Sequence, residues 1–273
     1  MCMYSITLLF ATLHISRGNA KTGIGVYTFN TLPGNSEHLL YVKEKGLLTD
    51  IPGTCSKYCT ECAKDGCCYA WRDGKRHHNH CIKAWGENTL LLRNDPIRLF
   101  ALINDYITKK NARYNLTKNE RWYRIQYWRW HSSGEIETLL QLELMNETAE
   151  KHPEVQFGVY TKNFDVLEQY IKKHGIHGFA KNFAINVSQW HGVADNFLAK
   201  YPGVFNVFTY DDSHSAKCTL SEKEKKRLAS LPHCPAVNPD GSRRIGSDGK
   251  PVTCTKCHEC YKRHCIERAV YSH

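Results

Sequence analysis

Thirteen cysteines in a chain of 273 residues fall into two groups. Cys55, Cys59, Cys62, Cys67 and Cys68 stand together, with Cys81 nearby, and after a long thiol-free stretch come Cys218, Cys234, Cys254, Cys257, Cys260 and Cys265. The segment CTKCHEC sets Cys254, Cys257 and Cys260 at C-x2-C-x2-C, and Cys234-Pro235 precedes it by 20 residues. A C-x2-C turn points two thiolates at one site, a third at the same step holds another position, and a distant fourth closes a tetrahedron. Close stepping with a remote Cys-Pro fits iron–sulfur ligation. Four cysteines also suit structural zinc, with His258, His264 and Cys265 as substitute ligands. A disulfide framework is the third reading, but it normally staples a small, core-poor domain. Here the middle of the chain is core-rich and thiol-free, so clusters at both ends point to metal ligation.

The first group carries a second pattern. Cys55, Cys59 and Cys62 stand at C-x3-C-x2-C, with Cys67 and Cys68 as alternative ligands. This spacing resembles that of radical S-adenosylmethionine enzymes, in which three thiolates hold a cluster and leave one iron open to the cofactor. Gly134-Glu135 after a strand is similar to their Gly-Glu element, which holds the cofactor's amino group. Two features depart from that pattern: Glu61 stands where an aromatic residue is usual, and more than 20 residues separate the first strand from the cysteine loop.

Groups so placed need a scaffold, and the middle of the chain supplies a rhythm. RIQYWRW (124–130), VQFGVYT (155–161), FAINVSQ (183–189) and VFNVFTY (204–210) read as strands, with GIGVYTFNT (23–31) upstream. Between them 95–110, 137–152, 163–175 and 192–202 read as helices, with Asp95 as N-cap, Pro96 in the first turn and Gly175 as a stop. Alternation of this kind calls for an α/β fold with a parallel sheet, here an incomplete or irregular (β/α) barrel closed by cysteine-rich terminal segments. Residues 32–94 and 211–273 break the rhythm and read as loops. The domain reading is an N-terminal extension over 1–17 and one domain over 18–273. Within it lie a cysteine-rich loop (53–81), a core (95–212) and a cysteine-rich C-terminal segment (213–273).

In such folds chemistry sits at the C-terminal ends of the strands. Those ends carry His131-Ser132-Ser133-Gly134-Glu135, Lys162, Trp190-His191 and Asp211-Asp212. Glu135, His131, Ser133 and Lys162 are therefore the catalytic candidates, and Gly134 with Glu135 the cofactor-binding pair. Ser132-x-x-Glu135 also has the form of a capping box for the helix that follows.

Composition sets outer limits. The chain is 41% apolar and 11% aromatic, enough for a sizeable core, and its net charge of +10 permits a nucleic-acid or acidic partner. No apolar run approaches the ~18 residues of a membrane span. The opening MCMYSITLLFATLHISRGNA has an apolar run ending near Gly18-Asn19-Ala20, but it is short and lacks a basic flank. Sequons at Asn115, Asn146 and Asn186 would suit a secreted protein. Phosphate-binding, serine-hydrolase and zinc-protease motifs are absent. Lys75-Arg76-His77-His78-Asn79-His80 reads as a solvated loop, and the alternation of WYRIQYWRW fits an interior strand better than a base-stacking surface.

An ordered set of short motifs spans most of the chain. GNAKTG (18–23), YTFNTLPG (27–34), the cysteine stretch ending in Cys68-Tyr69-Ala70, HSSGEI (131–136), FGVYTK (157–162), HCPA (233–236) and CTKCHEC follow one another. In this order they resemble the gene product 88 family of bacteriophage proteins. The resemblance implies a phage or prophage origin and a host-cytoplasmic setting, where thiols are free for metals, and it assigns no activity. The leading reading is an iron–sulfur enzyme with radical S-adenosylmethionine-like chemistry on an unknown substrate. A zinc-stabilised, non-catalytic binding protein for nucleic acid or a host protein is the alternative.

Overall fold

The computed structural model describes residues 12–18, 22–23, 25–34, 51–59, 68, 70, 78–117, 124–214, 218, 220–240, 242–263 and 265–271. Its centre is a sheet whose strands lie in chain order: β1 (Ile15–Arg17), β2 (Val26–Phe29), β3 (Tyr127–Trp130), β4 (Gln156–Thr161), β5 (Phe183–Gln189), β6 (Asn206–Asp211) and β7 (Glu267–Tyr271). β1 pairs antiparallel with β2, and every later pair is parallel. Helices α1 (His78–Asn94) and α2 (Pro96–Thr117) connect β2 to β3, α3 (Leu139–Lys151) connects β3 to β4, and α4 (Phe164–His174) connects β4 to β5. A short α5 (Asp195–Lys200) precedes β6, and α6 (Glu222–Ser230) and the single turn α7 (Cys254–Cys257) precede β7.

The parallel register assigns each residue to a face. Trp128, Phe157 and Phe183 are aligned across β3–β5, as are Trp130, Val159 and Ile185. All six are buried in one core with Leu99, Ile103 and Leu142 from the helices. The helices layer in chain order along this face, α1 on α2, α2 on α3, α3 on α4. The opposite face carries Arg129, Gly158, Tyr160, Asn186, Asn206 and Phe208. A central parallel sheet normally buries apolar side chains on both faces, so a polar second face marks a surface shaped by something besides packing.

The sheet stays open, as an incomplete barrel would. On the far edge, Pro232–Cys234 adds one further pairing beyond β7, through Cys234 N–H to the Ala269 carbonyl (2.9 Å) and Ala269 N–H to that of Pro232 (3.1 Å).

The expected helices form where their signals lie. The Asp95 carboxylate accepts from Arg98 N–H at 3.0 Å, and Gly175 closes α4 with φ 77°. The capping box does not form: α3 begins at Leu139, and its cap is Thr138, which accepts from Gln141 N–H. Two segments read as loops are structured. α1 runs for 17 residues from His78, and α6 and β7 lie within the C-terminal segment. Lys75 to His77 and the side chains of His78 and His80 lie outside the described residues. The end of the 1–17 extension belongs to the sheet as β1, tied to α1 where Asn88 donates to the His14 carbonyl (2.8 Å) and accepts its N–H (2.9 Å). The Asn146 and Asn186 sequons are buried at 5% and 1% exposure, with both amides hydrogen-bonded, so folding withdraws them from glycosylation. Among the described residues no helix is long and apolar enough to cross a membrane.

Candidate metal centres

The first thiol set sits over the C-terminal ends of β2, β3 and β4. A loop from Ile51 leads into a 3-10 turn at Lys57–Cys59 and is fastened at several points. The Thr54 hydroxyl donates to the Leu32 carbonyl (3.0 Å) and accepts the Glu135 N–H (2.8 Å). Ser56 donates to the Lys162 carbonyl (3.2 Å). Tyr58 donates to Asp165 (2.9 Å), which also pairs with Lys57 (2.7 Å), and the Tyr58 ring packs on Phe164 at 4.7 Å. Cys55 and Cys59 are thereby brought into hydrogen-bond contact with each other, and Gly34 N–H points at the Cys55 sulfur from 3.0 Å. Their shared hydrogen bond raises the Cys55 thiol and lowers that of Cys59, so Cys59 ionises first. Cys59 also feels Glu135 and the Lys162 ammonium. Cys68 lies close enough to act on Cys55. Cys62 and Cys67 lie outside the described residues.

Beneath this loop the HSSGEI segment forms a buried polar brace. Gly134 has φ 84°, and a side chain there would overlap the Thr31 hydroxyl at 2.0 Å and that of Thr54 at 2.5 Å, so glycine is required. Ser133 donates to the Thr31 carbonyl (3.0 Å). His131 links Thr31 (3.1 Å) to Gln141 (2.7 Å), and burial pushes its imidazole down to about 3, which keeps it neutral. His131 and Ser133 are thus committed to holding the strand ends. Glu135 accepts Ile136 N–H at 2.9 Å and Lys162 N–H at 2.7 Å, and burial raises its carboxyl. These two bonds leave part of the acceptor capacity of a carboxylate open. The Lys162 ammonium lies over the Trp190 ring at 5.1 Å, and Trp190 stacks on Tyr210 at 3.7 Å. Of the four catalytic candidates, Glu135 and Lys162 are therefore the two that stand beside a thiol.

The second thiol set lies on the polar face. Cys254 and Cys257 flank one helical turn, His258 turns the chain with φ 44°, and Cys260 sits in a 3-10 turn at Glu259–Tyr261. The sheet docks this segment by its backbone. Asn186 Nδ2 donates to the Cys260 carbonyl (3.0 Å), and Asn206 Nδ2 donates to that of Lys262 (2.8 Å) while its Oδ1 accepts Cys265 N–H (2.9 Å). Gly158 makes room for the Tyr261 ring, since a Cβ there would stand 3.0 Å from Cδ1. Cys260 interacts electrostatically with Cys234, Cys254 and Cys257, and burial pushes its thiol up to about 12. Cys234 lies beyond β7 while Cys260 lies over β4 and β5. Flat, four strand spacings would separate β4 from the Cys234 segment by roughly 19 Å. Mutual interaction of these thiols therefore requires the sheet to curl around its polar face.

Several features fit a thiolate-bound group here. Arg129 stacks on Tyr160 at 4.6 Å, and Arg268 acts on Cys257, so cationic charge flanks the four sulfurs. His258 Nδ1, inside the motif, is buried without a hydrogen-bond partner. Among the described residues, no group of three or more His, Cys, Asp or Glu side chains is drawn together as a single ion would need. Cys81 packs beside Ile82 and Trp85, Cys218 contacts Asp212 at 3.8 Å, and Cys265 is exposed, all apart from the four. His264 lies outside the described residues.

Arg129, Tyr160, Asn186 and Asn206 were not apparent as site residues in the sequence, although a polar residue at alternate positions of central strands was the available signal. No curated protein and no solved structure matches the chain. The family model described as Gene product 88 matches residues 13–263, and the chain belongs to that family.

Proposed function

We propose that the chain is an iron–sulfur protein. Cys234, Cys254, Cys257 and Cys260 hold one cluster, and Cys55, Cys59 and Cys62, or members of the set with Cys67 and Cys68, hold a second. We further propose that S-adenosylmethionine binds at the second, with its amino group against Glu135. One observation carries this reading: both thiol sets meet the same face of β4. Lys162 acts on Cys59, and Tyr160, two residues earlier, is hydrogen-bonded to Cys260. Alternate residues of a strand lie about 7 Å apart, so the two sets border one mouth at the strand ends. The thiols stand near one another without closing on a single ion, which suits a polynuclear cluster, whose sulfurs spread wider than those around one zinc. Bound there, the clusters would supply one-electron chemistry. The protein's part is to anchor the loop through Thr54, Ser56 and Tyr58, and to present Glu135 as an anion to a cationic amine.

Two assays test this. Protein purified without oxygen should be brown, with absorption at about 400 nm from cysteine-bound clusters. With dithionite as electron donor, one electron and one hydrogen atom from substrate or buffer should convert S-adenosylmethionine to methionine and 5′-deoxyadenosine. Glu135→Gln should weaken S-adenosylmethionine binding while leaving iron content unchanged. Colourless protein with stoichiometric zinc would replace this reading with a thiolate-stapled binding protein. In that case DNA affinity falling steeply with added salt would mark a nucleic-acid partner.

A further inference from the structure

We infer that the Tyr160 hydroxyl, by donating a hydrogen bond to the Cys260 sulfur, sets the reduction potential of the cluster held at that cysteine. The inference rests on the iron–sulfur reading above. The geometry is fixed from several sides. Tyr160 and Asn186 are register partners on the polar face, and Asn186 pins the Cys260 carbonyl at 3.0 Å. Two residues before Tyr160, Gly158 lets the following turn lie flat, with the Cys260 carbonyl 3.2 Å from where a Cβ would stand. The Tyr160 ring is held between the Arg129 guanidinium, 4.6 Å from its centroid, and the edge of Phe208 at 5.0 Å. The ring therefore has little freedom to turn its hydroxyl from the sulfur. A donor to a ligand sulfur stabilises the more negative, reduced cluster and raises its potential.

The test is a potentiometric titration, followed by electron paramagnetic resonance, on full-length anaerobic protein. Tyr160→Phe removes one oxygen and keeps the ring. It should leave iron and sulfide content unchanged and shift the ratio of oxidised to reduced cluster about tenfold toward oxidised, ~59 mV for one electron. Tyr127→Phe is the control: Tyr127 packs on Tyr261 at 4.9 Å, and its change should leave the potential in place. If Tyr160→Phe fails to hold its cluster, Arg129→Lys is read instead. It keeps the charge while removing the planar stack that orients the ring, and should shift the potential the same way by less. A full cluster with unchanged potential in Tyr160→Phe, or a shift matched by Tyr127→Phe, overturns this inference alone. Wild-type protein that takes up no iron overturns both it and the reading on which it rests.

Discussion

Asn186→Ala is the substitution that most sharply separates docking of the cysteine segment from overall stability. The Asn186 amide donates to the Val159 and Cys260 carbonyls, each at 3.0 Å, and accepts from Asn206 at 3.1 Å. At about 1 kcal/mol net for each lost bond, the variant should lose about 3 kcal/mol. Only the bonds that reach Cys260 and, through Asn206, Lys262 and Cys265 act on the docked segment. If the whole loss fell there, the equilibrium between docked and released segment would shift by about a hundredfold. Asn182→Ala is the matched comparison. Asn182 Nδ2 donates to the carbonyls of Ala149 (2.8 Å), His152 (3.0 Å) and Val155 (2.8 Å), on the loop between α3 and β4. Both variants should lower the urea midpoint by similar amounts. Hydrogen exchange across 254–265 should accelerate in Asn186→Ala alone, and metal content should fall with it. Equal exchange in the two variants would refute the claim that this asparagine holds the cysteine segment to the sheet.

Other expectations follow from the brace beneath the first thiol set. Gly134→Ala combines a φ of 84° with a 2.0 Å overlap on the Thr31 hydroxyl. It should cost about 2 kcal/mol or more, read by denaturant unfolding. His131 is held down to about 3 in the fold, against an ordinary value near 6.5. Between those values the unfolded chain binds the extra proton, so stability rises with pH. It is fully present above about pH 6.5 and is lost by about 1.4 kcal/mol per unit as pH falls toward 3. Urea midpoints from pH 7 to 4 should show that slope in the wild type and a shallower one in His131→Gln. Asp165→Ala removes the partner shared by Tyr58 and Lys57, so exchange at 55–59 should quicken while the global midpoint holds.

How much was legible from the sequence differs between scaffold and site. β3 to β6 announce themselves because buried parallel strands are short continuous apolar runs, and α2 and α4 carry their own punctuation in Asp95-Pro96 and Gly175. α1 was read as loop because it opens in a histidine-rich stretch and is interrupted by Gly86. Its apolar positions at Ile82, Trp85, Leu91 and Leu92 nonetheless pack as a helix face. β7 reads ERAVY, an edge strand in which only Ala269 is fully buried, and so lacks an apolar run. Ser132 and Glu135 satisfied the form of a capping box, but the fold turns Glu135 toward Lys162 and leaves the cap to Thr138. The cysteine spacing named the C-terminal thiol set. Nothing in one dimension says that Asn186 and Asn206, in strands 20 residues apart, line up to receive it.

The central claim is that the two thiol sets bind separate iron–sulfur clusters, and the most direct measurement is iron and acid-labile sulfide per chain. Wild-type protein purified without oxygen should be compared with a variant carrying serine at 234, 254, 257 and 260. The account predicts about four irons and four sulfides for each cluster, with the variant keeping one cluster's share. Zinc with no iron after reconstitution, or iron unchanged by the four substitutions, would contradict it.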